Sequence, residues 1–128
     1  MPYISRVKQI KPMRKIESQM CAAVQANKTW TKDNTMVLED AGAGCVFVFL
    51  HGNKIAEIGD DSITLFDGDH QTATTKSRLN ALLATFGYTC GQVREYVFQK
   101  NYEWFVSTFD TNTQEVVTVP FESGMVIA

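Results

Sequence analysis

Cys45-Val46-Phe47-Val48-Phe49-Leu50-His51-Gly52-Asn53-Lys54-Ile55-Ala56-Glu57-Ile58 decides the fold class. Its first six residues are apolar and mostly β-branched or aromatic, the composition of a strand packed into a core. His51-Gly52-Asn53 then supplies residues that tolerate positive φ, so the chain turns tightly. Residues 54–58 resume as a strand in which Ile55 stands among polar neighbours. Hairpins extend this unit on both sides. Upstream, Thr35-Met36-Val37-Leu38 reads as a short strand that enters through the turn Asp40-Ala41-Gly42-Ala43-Gly44. Downstream, Gly59-Asp60-Asp61 turns into a strand over 62–66. The result is a meander of up to four antiparallel strands.

A second meander follows: strands over 93–99, 102–109 and 115–119, with Lys100-Asn101 and Asp110-Thr111-Asn112-Thr113 as turns. Pro120 ends the last regular strand, leaving 121–127 as a turn with an apolar tail. A helix precedes each meander. Met13, Ile16, Met20, Ala23 and Val24 recur at helical spacing over 12–26, with Pro12 suited to the first turn and Asn27 to the stop. Leu79, Leu82, Leu83 and Phe86 form the core stripe of a helix over 74–86, capped by Thr74 or Thr75 and closed by Gly87 as a left-handed C-terminal residue. Helices alternating with hairpins predict an α+β fold, two helices packed on an antiparallel β-sheet, in the order helix, meander, helix, meander.

Length and composition set the bounds. The 128 residues, 45% hydrophobic and 11% aromatic, fit one folded domain over 12–128 preceded by a short arm, 1–11. No apolar run approaches the ~20 residues of a membrane helix, and no hydrophobic signal core is present, so the expected place is the cytoplasm. Cys21, Cys45 and Cys90 are odd in number and widely spaced, which fits reduced thiols and no zinc site. Charge is unevenly spread. Arg6, Lys8, Lys11, Arg14 and Lys15 fall within the first 15 residues without an acid, and the remaining seven basic residues face all fourteen acids. A basic arm on an acidic body is one way to contact nucleic acid; a solvated tail is the plain alternative.

The candidate working surface is the start of the second helix. Thr74, Thr75, Lys76, Arg78 and Asn80 crowd into two turns, more polarity than packing requires, and a helix N-terminus attracts anions. Lys76 and Asn80 lie on one flank of the core stripe, Arg78 and Thr85 on the other. Ser77, Ala81 and Ala84 make a face small enough for close approach of another surface. Other readings are weaker. His51, with Asn53 beside it, sits alone at a turn, the usual setting of a structural histidine. Asp67-Gly68-Asp69-His70 lacks the later glutamate of a calcium loop. No serine or cysteine nucleophile stands in a recognisable elbow, so nothing in the sequence identifies an enzyme and the reading leans against one; no cofactor or metal is expected. Tyr96 and Phe98 share one strand face, as do Tyr102 and Trp104. With Phe105 they read as core, although aromatics facing outward beside Lys100 or Arg94 would stack bases.

Four segments in order carry a resemblance: residues 49–56 (Phe-Leu-His-Gly-Asn-Lys-Ile-Ala), 74–83 (Thr-Thr-Lys-Ser-Arg-Leu-Asn-Ala-Leu-Leu), 98–106 and 120–125. The chain resembles a family of small proteins of unknown function encoded by tailed bacteriophages, abundant in marine and environmental phages. The likeness spans about residues 12–127. It departs at Asp69-His70, where the family pattern often has Gly-Trp. The resemblance implies an origin and no activity. The leading expectation is a non-enzymatic phage accessory protein that contacts nucleic acid, or a host nucleic-acid machine. The alternatives are a binder of a phosphate-bearing, nucleotide-like ligand, stacking on Trp104 or Tyr102, and a structural homo-oligomer built through the small helix face.

Overall fold

A computed structural model of the chain describes residues 13–40, 42, 44–87, 89, 90, 93–110 and 112–127; for 89, 90, 93 and 94 it describes the backbone. Among these, the order is α1 (Lys15–Gln25), β1 (Trp30–Lys32), β2 (Thr35–Asp40), β3 (Cys45–Leu50), β4 (Asn53–Ile58), β5 (Ile63–Leu65) and α2 (Ala73–Phe86). There follow β6 (Thr89–Cys90), β7 (Val93–Arg94), β8 (Tyr96–Lys100), β9 (Glu103–Asp110), β10 (Glu115–Pro120) and β11 (Met125–Ile127). The fold is α+β, with every strand pair antiparallel.

The two meanders form separate sheets. The first is six-stranded, ordered β1-β2-β3-β4-β5-β11, and the second is β10-β9-β8, with β6-β7 a short ribbon. The hairpin at residues 45–58 forms as its sequence demands: His51 and Gly52 both take positive φ, 53° and 79°, between β3 and β4. A bulge follows at Val48/Phe49, which brings both Ile55 and Ala56 into the core. The second meander turns one residue later than its sequence suggests. Asn101 and Tyr102 carry the positive φ values, so Tyr102 lies in the turn, 94% exposed, and does not share a face with Trp104.

Three strands escape the sequence reading. β1 pairs with β2, β6 pairs with β7, and β11 returns from the C-terminal tail to lie beside β5. All three are too short to show a periodicity. The single strand expected over 93–99 is divided into β7 and β8, which belong to different sheets. Gly87 also works differently from expectation. Its φ is −75°, extended rather than left-handed, and its value is space: a Cβ there would sit 2.5 Å from the Leu83 carbonyl oxygen.

The core lies between the helices and the inner sheet faces. Met20, Leu79, Leu82, Leu83, Val37, Val48, Ile55, Leu65, Val97 and Val106 are almost wholly removed from water, each large side chain contributing about 1.5–3 kcal/mol of transfer free energy. The small residues of α2 serve this packing. Ala81 is buried, and the Cys21 thiol on α1 lies 3.6 Å from its carbonyl oxygen. The surface that approaches the small face is α1 of the same chain.

Candidate functional site

The polar start of α2 is wired into the protein. Thr72, not Thr74 or Thr75, is the N-cap: its backbone is extended and its Oγ1 accepts from the Thr75 amide at 3.1 Å. Thr75 is buried, its hydroxyl donating to the His70 carbonyl. Arg78 is 4% exposed and reaches back to α1, where Nη1 donates to Glu17 Oε2 at 2.7 Å. Its Nε donates to Thr35 Oγ1 at 3.1 Å and its Nη2 to Asn34 Oδ1 at 3.4 Å. The Ser77 hydroxyl donates to the same Glu17 oxygen. One guanidinium thus ties α2 to α1 and to the β1–β2 turn.

Asn80 does the opposite job on the other flank. Its Nδ2 donates to the Val97 carbonyl at 2.9 Å, and its Oδ1 accepts from the Val97 amide at 2.6 Å. A side-chain amide has the donor and acceptor of a peptide unit, so Asn80 occupies the edge of β8 as a further strand would. The division of α2 into two flanks holds as the helical wheel places it. Of the five residues singled out there, Thr75, Arg78 and Asn80 are spent on internal bonds. Thr74 and Lys76 remain half-buried on the surface.

The accessory residues scatter. Arg6, Lys8 and Lys11 lie outside the described residues. Arg14 and Lys15 are exposed at the start of α1. His51 and Asn53 are exposed around the β3–β4 turn. Trp104 is buried, edge-on to Phe121 with centroids 5.4 Å apart, so it is core and not a stacking surface. The Asp67 carboxylate accepts from the Asp69 amide and the Gln71 side chain, holding its own loop. Among the described residues no group of three or more His, Cys, Asp or Glu is placed to hold a metal. Burial pushes the Cys21 thiol up from its usual range, which suits a packing residue rather than a nucleophile. A shallow pocket lined by residues 58–63 with Phe86 and Gly87 carries Asp60 and Asp61, charges that oppose a phosphate.

The surface that stands out is the outer face of the three-stranded sheet. Alternation along β8 and β9 sends Val97, Trp104 and Val106 inward; Tyr96, Phe98 and Phe105 take the other face, where Phe98 and Phe105 are half-buried and Ser107 is buried. The outward rings form a row: Tyr96 and Phe98 have centroids 5.4 Å apart, Phe98 and Phe105 5.8 Å in a stacked arrangement. Tyr96 is 43% exposed and Val116, on the same face of β10, 47%. No described helix packs on this face. Lys100 and Glu103 stand opposite each other at its end. The outer face of the six-stranded sheet differs: Lys54 lies over the Phe47 and Phe66 rings and pairs with Glu57. Sequence alternation reveals the row of rings but not which of the two faces the helices leave uncovered.

Residues 13–128 match a family model described as "Kyanoviridae Gp96 protein". No curated protein and no solved structure matches the chain. Among the described residues, no helix is long and apolar enough to cross a membrane.

Proposed function

The chain belongs to the Kyanoviridae Gp96 protein family, a family of tailed-phage proteins, and we propose that it works as a non-enzymatic binding protein in the infected cell. Its working surface is the outer face of the β8–β9–β10 sheet, and its partner is a protein. The carrying observation is the outward row Tyr96, Phe98 and Phe105 with no described helix over it. Aromatic rings at the centre and charges at the rim are the anatomy of a protein interface. Charge weighs against nucleic acid as the first partner. Nucleic-acid interfaces are strongly positive, whereas here Lys100 is offset by Glu103 directly across the strands and all fourteen acids lie in the body.

A second reading has its own observation. Tyr96, Phe98 and Lys100 follow one another along one strand face, the arrangement of a stacking platform for single-stranded nucleic acid, and the first 15 residues carry five basic side chains. The pair Tyr96→Thr and Phe98→Thr separates the readings, since threonine keeps the strand. Proteins of the host are retained on the wild type, and the protein so identified is then titrated in pure form. A loss of affinity of tenfold or more in the variant, with an unchanged melting temperature, supports the protein reading. Equal affinity in both refutes it. Oligonucleotide binding that falls steeply with salt and vanishes in the variant assigns the face to nucleic acid instead.

A further inference from the structure

We propose that β10 pairs edge to edge with β10 of a second copy, forming a two-fold dimer whose continuous sheet runs β8-β9-β10-β10-β9-β8. The two principal sheets have four outer edges, and three of them are closed or cut short. β1 and β11 are three residues long, and β8 is occupied by Asn80. β10 is six residues long, and among the described residues nothing pairs with its outer side. Between Glu115 and Pro120 runs Val116-Val117-Thr118-Val119, β-formers without a charge, glycine or proline. Edge strands are ordinarily blunted by short length, charge, proline or cover; β10 has a charge and a proline only at its two ends, Glu115 and Pro120, and no cover among the described residues.

The register follows from the backbone. The Phe121 amide donates to the Trp104 carbonyl at 3.0 Å, so the odd-numbered residues of β10 direct their N–H and C=O groups toward β9. Antiparallel bonding alternates, so Val116 and Thr118 direct theirs away. Pro120, with no N–H to offer, has the same parity. A two-fold axis through Val117 places Val116 opposite Thr118 of the second copy, and Thr118 opposite its Val116. Both copies then satisfy both groups of both residues. In that register Glu115 faces Val119 of the other copy, so no acid meets an acid. The two outer faces also become one, which doubles the row of rings without depending on what that row binds.

Light scattering of the intact chain over a range of concentrations should give twice the 14.4 kDa chain mass. Thr118→Pro removes an amide that the monomer does not use, so it should halve the mass and leave the melting transition of the monomer cooperative. Val117→Cys sits on the axis as a non-hydrogen-bonded pair, where Cα atoms about 4.5 Å apart permit a disulfide. It should oxidise to a linked dimer that wild type and Val119→Cys do not form. A single-chain mass at every concentration overturns the proposal and leaves the edge to a strand of another protein. So does a dimer that survives Thr118→Pro, or one that links through position 119 and not 117.

Discussion

Arg78 and Glu17 are each almost fully removed from water, at 4% and 3% exposure. Two charges placed there pay a large desolvation cost, offset by their mutual attraction and by hydrogen bonds to all three guanidinium nitrogens and both carboxylate oxygens. Glu17 accepts from Ser77, Arg78 and the Arg14 amide; Arg78 also donates to Thr35 and Asn34. Removing one partner strands the other. Arg78→Ala is therefore expected to destabilise the protein by about 3–5 kcal/mol. Combined with Glu17→Met, the loss should be well below the sum of the two single changes. A double-mutant cycle by urea unfolding measures this, and strict additivity would contradict the pairing. Arg78 at the head of an amphipathic helix looks like a surface cation in sequence, because its partners lie 43 to 61 residues away along the chain. A helical wheel shows the flank on which a side chain leaves, not what waits there.

At the scale of elements, α2 is the joint between the two sheets. One flank holds α1 and the first hairpin through Arg78, and the other grips β8 through Asn80. Asn80→Ala would leave the Val97 amide and carbonyl without partners beside a buried side chain, at a cost of about 1–3 kcal/mol. Hydrogen exchange at the Val97 amide should accelerate with it. Unchanged exchange there would show that the packing of α2, not the amide, protects the edge. Much of this level is legible in the sequence: both helices, the β3–β4 hairpin and the antiparallel class follow from periodicity and turn chemistry. The hidden parts are those that depend on distant chain. β1 and β11 exist because β2 and β5 offer edges to pair with, and Tyr96 and Phe98 face outward because α2 covers the side of Val97.

For the whole molecule, the C-terminal strand closes what the N-terminal half begins. β11 pairs with β5 across about 60 residues of sequence, burying Ile127, while Phe121 packs on Trp104. A chain truncated after Pro120 loses all of these contacts. It is expected to melt at least ~10 °C lower, by the usual conversion of a few kcal/mol in a domain of this size. Calorimetry of the truncated chain tests this. An unchanged transition would make β11 an ornament on a six-stranded sheet that needs only five strands.

Asn80 sets a limit on growth as well as on stability. A sheet lengthens by presenting peptide groups at its margin, and at β8 those of Val97 are already taken by a side-chain amide of the same chain. Pairing through β10 consumes the other margin in both copies. The product ends in two stoppers, one Asn80 at each side, and has no further place to add a strand. A protein with one six-residue edge, uncharged along its middle, would otherwise be a seed for fibres; with that asparagine in place, addition stops at two.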